Sequence, residues 1–233
     1  LHTAYRRQRQ MCIRDSDKAA LLDALKLGLP IGGTVFAEVA IFSGVGLVMS
    51  KYPSLVIASH QAAMNFSNLM YAFPLSISSA MAIIISYEFG ARHMDAVKSY
   101  SKLGRLTALG FSIFTLIFLY FLRYDLAELY GHEPDFLRMT AIFMTYSLFF
   151  QVADVFAAPL QGILRGYKDT KVPFYLGVLT YWGITLPVGF LLEKVTGLGP
   201  YSYWIGLIAS LIVSGLCYQW RLNRIVKRYE SQQ

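Results

Sequence analysis

The sequence predicts an all-α membrane protein, a bundle of six transmembrane helices. Three observations carry that prediction. The 233 residues are 55% hydrophobic and only 15% charged, with a mean hydropathy of +0.45, a balance found in polytopic membrane proteins and outside the range of soluble domains. Six mainly apolar stretches approach or exceed the roughly 20 residues a helix needs to cross a bilayer. Lys and Arg divide thirteen to four between alternate loops, and such asymmetry records orientation in helical membrane proteins.

The first stretch, Leu27 to Met49, is apolar except for Glu38. The second, Leu55 to Ser86, is long enough to tilt or kink, and Pro74 within it removes one backbone hydrogen bond. The third runs from Leu106 to Leu122, and the fourth from Thr140 to Leu160 with Asp154 inside it. Phe174 to Leu192 and Tyr201 to Trp220 complete the set. The basic loops hold Lys98, Lys102 and Arg105, then Arg165, Lys168 and Lys171, then Arg221 to Arg228, so both termini are expected in the cytoplasm of a multi-pass protein. The net charge of +7 is therefore a topology signal. Nucleic acid is excluded as a partner, because the basic residues are spread over separate loops and form no single surface with stacking aromatics. Tyr52, Tyr120, Tyr124, Tyr130, Tyr201, Tyr203, Trp204 and Trp220 fall near span ends, as interfacial belt residues do.

Three domains of sequence follow. Residues 1–16 match nothing after them, hold four arginines, lack the apolar core of a signal peptide, and are expected to be a non-native or disordered segment. Residues 17–228 form the six-helix unit, and 229–233 a cytoplasmic tail. Cys12 and Cys217 lie too far apart in this arrangement to pair.

Glu38 and Asp154 carry most of the functional information, since a charge at the bilayer centre costs about 2.5–3.5 kcal/mol and marks ion or substrate paths. The other twelve acids are expected in loops or tails. At helical spacing Glu38 shares a face with Thr34, Phe42 and Val45. Asp154 lies on a stripe with Ser147, Gln151, Ala158 and Gln161, and Gln61, Asn65 and Asn68 form a third stripe beside His60. Desolvation favours the neutral form of a carboxyl group, so an acidic pair facing one cavity is equipped to take protons or a small cation. Sodium is the candidate metal ion at Glu38 and Asp154; no cofactor is expected beyond a coupling ion, proton or sodium. The prolines Pro30, Pro74, Pro159 and Pro187 can free backbone carbonyls to help ligate it. An enzyme is not expected: no HExxH, CxxC, GxSxG or phosphate-cradling loop occurs in the sequence.

Four segments, LGLPIGGTVFAEVAIF, ASHQAAMNFSNLMYAFPLSISSAMAI, FFQVADVFAAPLQGILRGYKDTKVPF and YWGITLPVGF, resemble the second half of a MATE-type (multidrug and toxic compound extrusion) transporter of the NorM-like branch. The resemblance runs from Asp17 to Arg228. It implies one lobe, the carboxy-terminal one, of a twelve-helix secondary antiporter in the bacterial inner membrane that exports cationic drugs in exchange for protons or sodium. The amino-terminal lobe is absent, which makes the chain a fragment in that reading and the missing lobe a partner, alongside the drug and membrane lipid. By resemblance Glu38 and Asp154 bind the coupling cation, and Phe42 and Gln61 contact cation or drug. The cavity lining is completed by Thr34, Asn65, Phe150 and Gln151. Phe150 stands where many members carry a tyrosine that ligates sodium, which favours protons here. Glu133 and Asp135, in GHEPDF, occupy a loop where some relatives place drug-contacting acids, although a solvated loop is the better account of them. Two alternatives stand: a lipid-linked oligosaccharide flippase of the same superfamily, whose cavity would be lined by Arg and Lys, and a non-transporting membrane scaffold in which both carboxylates are dispensable.

Overall fold

A computed structural model describes residues 18–231. Six helices occupy almost all of them: α1 (Lys18–Met49), α2 (Ser54–Gly90), α3 (Met94–Glu128), α4 (Pro134–Gly166), α5 (Lys171–Thr196) and α6 (Tyr201–Glu230). Each is long and apolar enough to cross a membrane. The sequence-predicted segment 1–16, with Cys12, lies outside the described residues. Cys217 is partly buried in α6 as a free thiol.

Every helix overruns its predicted span. Hydropathy reads the thickness of the hydrocarbon, whereas the helix continues into the aqueous interface: at 1.5 Å per residue, the 37 residues of α2 reach about 55 Å against a hydrocarbon core of about 30 Å. One expectation is thereby corrected. Asp23, Glu88, Asp95, Asp125, Glu128, Asp135 and Glu193 lie in helical ends, not in loops.

The connections are short and their chemistry is visible. Pro134 opens α4, where a missing N–H costs nothing, with Asp135 in the first turn against the helix dipole. Gly197 ends α5 in the left-handed region (φ 67°). At the opposite end of the bundle α2 and α4 close alike: Arg92 (φ 63°) and Lys168 (φ 60°) take that conformation without being glycine. The N–H of His93 bonds Glu88 O at 3.0 Å, and that of Asp169 bonds Leu164 O at 3.1 Å. Both are wide-looped helix closures that satisfy last-turn carbonyls.

The central helix is α4, buried along most of its length between α2, α6 and α3, while α1 packs mainly on α5 and only lightly on α2. Two glycines one turn apart let α2 and α4 approach. A Cβ on Gly162 would stand 2.1 Å from Ser78 O, and one on Gly166 2.6 Å from the Ile85 Cβ, so the pair forms a GxxxG contact of the kind that brings membrane helices together. Polar bridges fix the same interface. Ser67 Oγ meets Ser147 Oγ at 2.7 Å, and Gln151 Nε2 donates to Met70 O at 3.1 Å. Met70 is four residues before Pro74, so Gln151 satisfies the very carbonyl that the proline deprives of a partner. Apolar side chains gather in two clusters, one with Ile41, Phe143, Leu148 and Trp204, the other with Met81, Ile85, Ile163 and Tyr218.

Candidate functional site

On α1 the buried positions Thr34, Ala37, Glu38, Ile41 and Val45 form one face, while Val35, Phe36 and Val39 are exposed. Glu38 is 7% exposed and Asp154, from α4, 3%. Neither touches the outer surface. The Tyr71 hydroxyl of α2 lies within hydrogen-bonding reach of the Glu38 side chain. Each carboxylate acts electrostatically on the other, and both act on Tyr71 and on Tyr181 of α5. Tyr218 of α6 lies close to Tyr181 and Gln161 and donates its hydroxyl to Pro173 O at 3.4 Å. Arg165, near the end of α4, donates to Gln161 Oε1 at 2.9 Å and attracts Glu38. Thr34 Oγ1 bonds back to Pro30 O at 2.8 Å, beside Tyr181 and Tyr218 near Gly177. In this acidic chamber one carboxylate oxygen is left over: Oδ2 of Asp154 is buried and accepts no hydrogen bond from the protein.

The remaining predicted residues divide among three surroundings. Phe42 and Phe150 pack edge to face with centroids 5.5 Å apart, and Phe150 lies 6.4 Å from Trp204. With Ser67, Asn68 and Tyr71 they line a space of about 10 Å³, scarcely room for one water. Gln61, Asn65 and Asn68 are exposed and line a separate open groove of about 410 Å³, where Tyr130 donates to Asn65 Oδ1 at 3.1 Å. His60 turns away from them and accepts a hydrogen bond from Trp204 Nε1 at 3.2 Å. The α2 stripe is nevertheless continuous, since Gln61, Asn65, Asn68 and Tyr71 follow at steps of four, three and three. It leads from the groove to the chamber. Gln151 is committed to bridging helices, and Glu133 and Asp135 are exposed.

Tyr71, Tyr181, Tyr218 and Arg165 belong to the site and were not singled out from the sequence. Arg165, expected in a basic loop, lies in the last turn of α4 and acts on Glu38 from there. Among the described residues no three His, Cys, Asp or Glu side chains gather as a metal centre. The chemistry on offer is two carboxylates, tyrosine hydroxyls and one guanidinium.

A second acid-centred cluster sits at the other end of α1. Lys51 Nζ lies 2.5 Å from Glu193 Oε2 and 3.0 Å from the Tyr203 hydroxyl. The hydroxyls of Tyr203, at 2.5 Å, and Tyr52 also donate to Glu193. Partial burial pulls Lys51 down, but the bonds to Glu193 and Tyr203 more than offset it and hold the ammonium above the usual lysine range. This clamp ties the α1–α2 turn to α5 and α6.

The MatE family model matches residues 30–191. A protein named "Probable multidrug resistance protein NorM" in Streptococcus pneumoniae (strain ATCC BAA-255 / R6) is 66% identical over 209 residues, 90% of this chain and 46% of that protein. Its namesake in Bacillus subtilis (strain 168) is 46% identical over 214 residues, 92% of this chain and 47% of the relative. The fold superposes on a solved MATE structure in complex with MaL6 with TM-score 0.80 at 16% identity, covering 92% of this chain and 49% of that one. An outward-facing multidrug resistance MATE transporter gives the same TM-score, 0.80. The chain spans about half the length of the relatives it matches.

Proposed function

We propose that this chain, which belongs to the MatE family, works as one lobe of a cation-coupled multidrug exporter in which Glu38 and Asp154 hold the coupling cation. The observation that carries this reading is the buried, unpartnered Oδ2 of Asp154 beside Glu38. Charge supports it. Two ionised carboxylates and the Arg165 guanidinium leave one negative charge in excess, which one monovalent cation neutralises. A buried uncompensated charge is costly, so the chamber is built to be loaded.

Protons suit the chamber better than sodium. A proton needs one lone pair, and Asp154 Oδ2 offers it, whereas sodium needs a shell of oxygens and Phe150 contributes none. The drug is a cation drawn by the same negative field into the open groove of Gln61, Asn65 and Asn68 on the α2 stripe. Drug and coupling ion then weaken each other's binding by an equal factor, and exchange follows from that reciprocity. The exposed groove of Gln61, Asn65 and Asn68 is the surface a facing lobe would enclose. The protein resides in the cell membrane with both termini in the cytoplasm, a reading the distribution of Lys and Arg supports.

Drug efflux by a two-lobed version in everted vesicles tests this reading, with a pH gradient and a sodium gradient imposed separately. The pH gradient alone is expected to drive efflux. Efflux driven by sodium alone overturns the proton assignment, and efflux that survives Asp154→Asn under both gradients removes the carboxylate mechanism. A reporter fused after Arg228 is expected to be active only on the cytoplasmic side.

A further inference from the structure

At the basic end of the bundle, α3 and α6 flank α4 without packing closely on each other. The gap between them is a pocket of about 420 Å³ lined by Lys98, Ser101, Arg105, Gln219, Asn223 and Lys227. Its floor is the buried ring of Tyr167, held by Phe89 at 5.0 Å and stacked with Tyr229 at 6.1 Å. The rim is ordered. Arg105 Nε donates to Ser101 O at 3.1 Å and Nη1 to Gln219 Oε1 at 3.2 Å, and Gln219 in turn donates to Asn223 Oδ1 at 2.7 Å. That network orients the guanidinium and leaves the Nη2 donors for a ligand. Lys227 carries no ion pair among the described residues.

Above the pocket the surface turns apolar. Leu109 lies one turn from Arg105 on α3, and Leu216 and Ile212 lie one and two turns from Gln219 on α6; all three are exposed. A ligand with an anionic head and hydrocarbon tails matches both parts, because cationic pockets between transmembrane helices hold lipid headgroups at the interface and guanidinium binds phosphate in bidentate fashion.

We infer that this pocket binds one anionic phospholipid, its phosphate held by Arg105 and Lys227 and its acyl chains lying along Leu109, Ile212 and Leu216. None of these groups takes part in the acidic chamber. The lipid would link α3 to α6, two helices that lack a close contact of their own.

The test uses the whole chain in neutral detergent, with lipid retention read by native mass spectrometry and thermal unfolding read alongside. Phosphatidylglycerol is expected to be retained as a single bound molecule and to raise the unfolding midpoint, with phosphatidylcholine and glycerol phosphate doing neither. A basic residue at a charged interface contributes about fivefold, so Arg105→Gln with Lys227→Gln should weaken retention roughly twenty-fivefold. Lys102→Gln with Arg224→Gln removes equal charge from the same end outside the pocket and should leave retention unchanged. Equal losses in the two double variants would reduce the effect to diffuse surface attraction and overturn the site. Equal retention of phosphatidylcholine, or full stabilisation by glycerol phosphate, overturns the lipid assignment. These two comparisons need only the unaltered chain and hold even if a variant fails to fold.

Discussion

The chamber around Asp154 and the clamp around Glu193 use the same materials to opposite ends. Each centres on an acid, each draws tyrosine hydroxyls from more than one element, and each has one basic side chain in attendance. At the clamp the account closes: Glu193 receives Lys51, Tyr52 and Tyr203, and its oxygens are satisfied. In the chamber Glu38 has Tyr71 and the attraction of Arg165, while one oxygen of Asp154 has nothing. A completed ion pair holds helices in place. An incomplete one, buried in a membrane, is what the proposed cation exchange calls for.

The largest effect separating the two is expected in transport. In a two-lobed version, Glu38→Gln and Asp154→Asn should each reduce coupled efflux to background, whereas Glu193→Gln should leave it largely intact. Equal losses at all three positions in a vesicle efflux assay would erase the distinction.

Stability should separate them with the opposite sign. Removing the charge of Glu193 forfeits charge-assisted hydrogen bonds and should cost about 1–2 kcal/mol. Asp154→Asn removes an uncompensated buried charge and should leave thermal stability unchanged or raised. Unfolding in detergent followed by circular dichroism reads both. An Asp154→Asn protein that melts well below the unaltered chain would mean that its carboxylate is as structural as that of Glu193.

Tyr71→Phe sharpens the comparison further. It removes a hydroxyl within hydrogen-bonding reach of a carboxylate, an interaction worth about 1.5–3 kcal/mol, but leaves both acids in place. The coupling-ion concentration for half-maximal efflux should therefore shift about tenfold or more, with the maximal rate little changed. An unchanged half-saturation would place Tyr71 outside the ion's surroundings.

The sequence made the carboxylates conspicuous because a charge within an apolar run is rare on energetic grounds, whatever the fold around it. Their faces were equally legible, since helical periodicity alone puts Thr34 with Glu38, and Gln151 with Asp154. What stayed hidden depends on other helices. A tyrosine inside a span reads as belt or filler until its partner is known, so Tyr71, Tyr181 and Tyr218 gave no signal. Arg165 was assigned to a loop because hydropathy ends a span where the hydrocarbon ends, although the helix and the reach of the side chain go further. Gln151 shows the converse. Its place on the polar stripe suggested cavity lining, and only the register of α2 against α4 reveals that it answers Pro74. The Gly162–Gly166 spacing was present in the sequence, but which helix it admits is a property of the packing.

The smallest expected effect lies within the clamp itself. Lys51 is exposed over 42% of its side chain, and pairs in such settings contribute less than about 1 kcal/mol. Lys51→Gln should therefore cost less than Glu193→Gln, because Tyr52 and Tyr203 still donate to the carboxylate. Salt should distinguish the contributions: the Lys51 increment should shrink as ionic strength shortens the screening length from about 10 Å at 0.1 M to about 3 Å at 1 M. The tyrosine increments should persist. With pH the sign follows from a lysine held above its unfolded value of about 10.4, so its contribution is fully present below that pH and is lost only as pH rises through the higher folded value. Between neutrality and about pH 10 the stability difference between the unaltered chain and Lys51→Gln should be flat. A Lys51→Gln cost equal to that of Glu193→Gln would make the clamp a bare ion pair, and the parallel with the tyrosine-lined chamber would fail.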